Sequence, residues 1–129
     1  FRSDIVLIQR GLSENSIKSI GEKELSLLKE GSVFINTSRG EIVDEEALID
    51  RLKVDDIFAC LDVFSKEPMD RNNILKDLKN VFLSSHIAGA SPEMFQNADK
   101  LVTQNIVNYL LKKPMNVEFI TEEKLKNMT

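Results

Sequence analysis

Four side chains in this sequence could run chemistry together: Arg39, Asp62, Glu67 and His86. An arginine fork pairs with both oxygens of a carboxylate or phosphate at once, so Arg39 could clamp an acid substrate and polarise its carbonyl. His86, the single histidine of the chain, could hand a proton to a developing alkoxide. A carboxylate beside an imidazole holds its tautomer and favours the charged ring, a part that Glu67 could play. One cation, one titratable base and one tuning carboxylate suffice for hydride chemistry on a 2-oxo acid, provided that a cofactor supplies the hydride. Each residue taken singly has a plainer reading. Most turn arginines are solvated, a lone loop glutamate does nothing, and a lone histidine is usually structural.

Their places along the chain favour function. "SVFIN" (Ser32 to Asn36) is an apolar run rich in β-formers, bounded by Gly31 and Gly40. It reads as a strand buried on both faces, as in a parallel sheet. Asp44 then caps a helix whose inward stripe is Ala47, Leu48 and Leu52. "TSRG" is therefore a strand-to-helix loop, and ligands of open α/β sheets bind beyond the carboxyl ends of strands. "DIVLI" (Asp4 to Ile8), "IFACLDVF" (Ile57 to Phe64) and "NVFLSS" (Asn80 to Ser85) read as further strands. Asp62 falls near the end of the third, where the rim is the expected place for a carboxylate. Glu67 lies in the loop after it, and His86 follows the fourth strand directly. A short helix is expected over 21–31 with Gly31 as its stop. A long helix is expected from Ser91 and Pro92 to Pro114, with Phe95, Ala98, Val102, Ile106 and Leu110 as its inward stripe. "NVEFI" reads as a last extended piece, and Thr121 as the cap of a terminal helical turn. Alternating strands and helices predict an α/β fold around a parallel sheet.

Composition narrows the classes. The 129 residues are 42% hydrophobic and 29% charged with a formal net charge of −4, ordinary for one globular domain. No basic patch with interleaved aromatics suggests nucleic acid, and no apolar stretch is long enough to span a membrane. Cys60, the one cysteine, reads as a buried small residue in a reducing cytoplasm. No Cys/His cluster suggests a metal. The opening "FRSDIVLIQ" has no lead-in before its strand, as in a piece of a longer protein.

Three motifs together, "INTSRGEIVDEEAL", "LDVFSKEP" and "SSHIAGASPE", resemble in order and spacing the D-isomer-specific 2-hydroxyacid dehydrogenases. The resemblance covers nearly the whole chain. It implies a Rossmann-like fold, NAD or NADP as cofactor, and a small 2-hydroxy or 2-oxo acid as substrate. It implies Arg39, Glu67 and His86 as the catalytic trio. Cofactor contacts are implied for Thr37, Ser38, Arg39, Asp62, His86, Ala88 and Gly89, with Asp62 bonding the nicotinamide carboxamide. Departures from the family pattern are Gln9–Arg10–Gly11 in place of His-x-Pro, Ser85 before the histidine, and Phe58 where a glycine is common. They bear on substrate and subfamily.

The sequence has no Gly-x-Gly-x-x-Gly to cradle a pyrophosphate. Residues 1–113 are therefore expected to form the second half of an NAD(P)-binding domain, including the long helix. Residues 114–129 would return toward a separate substrate domain. The isolated chain is expected to be inactive, and the parent to be a cytoplasmic homodimer. Two other readings stand beside this one. The first is a non-catalytic dehydrogenase-like protein that binds partners or serves structure. The second is a receiver-like or flavodoxin-like domain with Asp62 as acceptor. That fold wants an acidic pair after the first strand, which "LIQRG" does not offer.

Overall fold

The computed structural model describes residues 3–115. Its centre is one four-stranded parallel sheet, β1 (Ile5–Ile8), β2 (Val33–Asn36), β3 (Phe58–Leu61) and β4 (Val81–Leu83), in the spatial order β1-β2-β3-β4. The register aligns Ile8, Asn36, Leu61 and Leu83, so all four strands end along one edge. Each strand is shorter than its apolar run. "IFACLDVF" pairs only as far as Leu61, which puts Asp62 just past the strand.

Among the described residues, three helices accompany the sheet: α1 (Glu22–Leu25), α2 (Glu45–Leu52) and α3 (Pro92–Leu110). Two 3₁₀ turns, Gly40–Ile42 and Ile74–Lys76, also occur there. The Asp44 side chain accepts from the Ala47 amide and caps α2, and Ser91 accepts from the Met94 amide and caps α3. Helix α1 stops well short of Gly31. Its last turn tightens to i→i+3 bonds, Leu27 N to Glu24 O and Leu28 N to Leu25 O, which still buries Leu28. Gly31 keeps the left-handed conformation of a stop, with φ 76°.

The core lies on one face of the sheet. Phe34, Ala59, Leu61 and Ile8 point there, against Leu25, Leu28, Leu48 and Leu52. Arg51 binds the segment together by pairing with Asp56 and donating to the Leu28 carbonyl at 3.1 Å. The buried Asn80 amide donates to the carbonyls of Leu52 and Ile57 at 2.9 and 2.8 Å, closing the join between α2 and β3.

Among the described residues the other face is largely bare, and Val33 and Ile35 of the strand expected to be buried on both faces are only half-buried there. Ile5 is 61% exposed and Phe82 67%, with Leu7 and Phe58 also exposed. The cause is topological. Strands added always in one direction by right-handed crossovers place every connecting helix on the same face. Cys60 points to the bare side and is half-buried rather than buried. Helix α3 ends at Leu110, before Pro114, with Lys112 left-handed at φ 52°. Its stripe of Phe95, Ala98, Val102, Ile106 and Leu110 is exposed rather than inward. "NVEFI" and Thr121 lie outside the described residues.

Candidate active site

Each candidate residue stands beyond the carboxyl end of a strand, on the common edge. At the end of β2, the buried Asn36 folds the turn back on itself. Its Oδ1 accepts from the amide and hydroxyl of Ser38, both at 3.1 Å, and its Nδ2 donates to the Arg39 carbonyl at 3.0 Å. Such side-chain-to-backbone bonds are why asparagine suits turns. Thr37 is exposed at the turn. Arg39 has an extended backbone (φ −145°, ψ 135°), and its Nη1 donates to the Ser38 carbonyl at 2.7 Å.

Gly40 explains why this turn sits where it does. A Cβ there would lie 2.0 Å from the carbonyl carbon of Phe64 and 2.1 Å from its oxygen. Only hydrogen fits, so the Arg39 turn presses directly on the backbone leading to Glu67.

Asp62 departs from the expected rim position, because it is buried, with 2% of its surface exposed. Its Oδ1 accepts from the Ser84 hydroxyl at 2.5 Å and the Ile87 amide at 2.9 Å, and its Oδ2 from the Ala88 amide at 2.9 Å. Its backbone carbonyl takes the His86 amide at 2.8 Å. Burial pushes the Asp62 carboxyl up, but the Ser84 hydroxyl and the Ala88 and Ile87 amides outweigh it, and the net shift is downward. The carboxylate therefore holds the His86 turn, in which His86 adopts the left-handed region at φ 56°.

That turn brings His86 to Glu67. The imidazole Nδ1 lies 2.7 Å from Glu67 Oε2, while Glu67 Oε1 accepts from the Phe64 amide at 3.0 Å. The hydrogen bond to His86 is the main cause that lowers the Glu67 carboxyl below its ordinary value. Burial opposes it and the Phe64 amide assists. An ionised carboxylate can only accept, so Nδ1 carries the proton and Nε2 is left for proton exchange. The pair opens on a cleft of about 650 Å³ whose walls include Phe64, Met69 and Phe82. The structure thus gathers Asp62, Glu67 and His86. Arg39 shares their edge but does not line this cleft. Ala88 and Gly89 are exposed just beyond it.

Sequence reasoning passed over Asn36, Gly40 and Ser84 as site-builders. Only Gly40 left a usable signal, a glycine directly after a candidate clamp residue. No group of His, Cys, Asp and Glu suited to a metal occurs among the described residues.

Comparison with known proteins agrees with this geometry. The glyoxylate reductase of Thermococcus litoralis is 42% identical over 108 residues, which is 83% of this chain and 32% of that protein. The glyoxylate reductase of Thermofilum pendens is 39% identical over 126 residues, 97% of this chain and 37% of that protein. The chain therefore spans about a third of the length of these relatives. The apo crystal structure of Rhodotorula graminis D-mandelate dehydrogenase superposes with a TM-score of 0.81 at 33% identity, covering 90% of this chain and 34% of that one. The family model for the D-isomer specific 2-hydroxyacid dehydrogenase, NAD binding domain, matches residues 1–88. With two thirds of its length inside that match, and the candidate residues in their places along one sheet edge, the chain belongs to the NAD-binding domain family of the D-isomer specific 2-hydroxyacid dehydrogenases.

Proposed function

We propose that this chain carries the acid–base end of an NAD(P)-dependent oxidoreductase that interconverts D-2-hydroxy acids and 2-oxo acids. The observation that carries the reading is the 2.7 Å contact between His86 Nδ1 and Glu67 Oε2 at the strand edge. In reduction of a 2-oxo acid, the imidazolium gives its Nε2 proton to the oxygen that gains charge. In oxidation the neutral ring takes the hydroxyl proton back. Glu67 fixes the ring and offsets its charge, while Arg39 holds the substrate carboxylate through its planar fork. The nicotinamide, when bound, supplies or accepts the hydride.

The residues fit the nicotinamide end of such a cofactor. Thr37 and Ser38 present a polar turn, and the Asp62 carboxylate, with about four acceptor positions, has three taken by the chain. The fourth suits a carboxamide donor. A pyrophosphate has no glycine-rich cradle in this sequence. Residues 1–113 accordingly read as the second half of the dinucleotide domain, with 114–129 leading toward a substrate domain. The single cysteine suits a reducing cytoplasm. The parent is proposed to assemble as a homodimer, and the exposed apolar sheet face is where its own remaining residues or a second copy would pack.

The relatives named glyoxylate reductase indicate glyoxylate as the first substrate to try. The test is oxidation of NADH or NADPH by glyoxylate and larger 2-oxo acids in the complete polypeptide that carries this chain. His86→Ala is expected to abolish turnover in both directions while dinucleotide still binds. Arg39→Lys is expected to lose mainly substrate affinity, seen as a raised KM. Turnover that survives His86→Ala would refute the acid–base assignment. By itself the 129-residue chain is expected to bind dinucleotide weakly or not at all, and tight binding in calorimetry would show that it holds a cradle of its own.

A further inference from the structure

Glu45 is the first residue of α2, where an acidic side chain ordinarily serves the helix dipole. Here it reaches elsewhere. Its Oε2 accepts from the Ser65 amide at 3.0 Å and the Ser65 hydroxyl at 2.7 Å, and its Oε1 accepts from the Asn73 side-chain amide at 2.9 Å. Ser65 and Asn73 are the two stems of the loop that carries Glu67. One carboxylate on a capped helix thus grips both ends of that loop. Asn73 is itself fixed, because its Oδ1 accepts from the Leu75 amide at 2.9 Å. The Gly40–Phe64 contact presses the same loop from the side of the Arg39 turn.

Tying both stems removes backbone freedom that a nine-residue surface loop would otherwise keep. We propose that Glu45 is a positioning residue: by bridging Ser65 and Asn73 it sets where Glu67 Oε2 stands relative to His86 Nδ1. This rests on reading Glu67 and His86 as the acid–base pair. If Glu45 served only the helix dipole, its loss would weaken α2 without altering the imidazole.

The single histidine makes the test direct. Nitrogen-15 NMR of the chain, at a pH where the ring is neutral, reads the ratio of Nδ1–H to Nε2–H tautomers. Glu67→Ala sets the endpoint. Loss of a half-exposed charged hydrogen bond should lower that ratio about fivefold. Glu45→Ala, with Glu67 intact, should produce at least a twofold fall in the same direction, and Ser65→Ala a smaller one. Glu45→Gln keeps one acceptor and should fall between wild type and Glu45→Ala. Urea midpoints are measured alongside. A folded Glu45→Ala chain with a lowered midpoint and the wild-type tautomer ratio would overturn the proposal. If Glu45→Ala does not fold, an unchanged ratio in Ser65→Ala overturns it instead. A Glu67→Ala chain with the wild-type ratio would refute the acid–base pair itself and this proposal with it. An effect of Glu67→Ala without one of Glu45→Ala refutes the positioning role alone.

Discussion

Replacing Gly40 with alanine puts a methyl carbon 2.0, 2.1 and 2.6 Å from the C, O and Cα of Phe64. Ordinary contact begins near 3.4 Å, so the turn and the loop must part by about 1.4 Å. Neither side can swing away as a flexible side chain could, because both surfaces are backbone. The same movement carries the Ser65 amide, now 3.0 Å from Glu45, beyond hydrogen-bond reach. Overpacking of this kind costs about 1–3 kcal/mol, and the lost bond adds to it. We expect about 3 kcal/mol in all, which lowers Tm by about 10 °C in a chain of this size. Urea and thermal unfolding followed by circular dichroism measure it. Gly11→Ala is the control, since a Cβ at Gly11 meets nothing within 4 Å; it should be neutral or slightly stabilising. In the complete enzyme, displacement of Arg39 or Glu67 by about 1 Å should cost about a hundredfold in kcat/KM. A Gly40→Ala chain as stable as wild type would refute the close approach and, with it, the account of how the Arg39 turn meets the Glu67 loop.

Three further outcomes are expected. Asp62→Asn sets an amide donor against the donors of the Ile87–Ala88 turn, so it should destabilise the chain by about 1–3 kcal/mol and speed amide exchange at Ile87 and Ala88; unaltered exchange there would contradict the clamp. The Asp62 and Glu67 carboxyls both titrate lower folded than free. Their stabilisation is thus present above the unfolded values near pH 4 and is lost as pH falls through the folded ones, so urea midpoints should drop on acidification, and less steeply in Asp62→Asn. Phe82→Ser, on the bare face, should change stability by less than about 0.5 kcal/mol and reduce self-association in sedimentation, whereas Phe34→Ala, with no exposed surface, should cost about 3–5 kcal/mol.

Local features were legible in the sequence because they depend on neighbours along the chain. Asp44 and Ser91 cap their helices as read, and every candidate side chain lies past a strand end. Contacts between distant segments were not legible. Gly40 read as a strand boundary, since nothing nearby announces the Phe64 backbone 24 positions on. Glu45 by its position is simply an acid in the first turn of α2, although its hydrogen-bond partners lie 20 and 28 residues away. Asp62 was expected at the rim because a buried carboxylate needs donors, and those donors come from another strand's loop. The two-sided burial failed for a related reason. Apolar strands signal that a face can be covered, but the direction in which strands are added decides which face this chain covers.

That sequential strand order also bears on how the sheet assembles. Each strand pairs with the one made just before it, and paired residues are separated by only 22 to 28 positions. Parallel sheets usually fold slowly because distant strands must find one another before any contact rewards the closure. Here no loop longer than a single crossover has to close. We expect each strand to dock onto a finished edge as synthesis proceeds, β1 serving as template for β2 and so on to β4. Pulse-labelled amide exchange on refolding would show protection in β1–β2 no later than in β3–β4 if the chain assembles in that order.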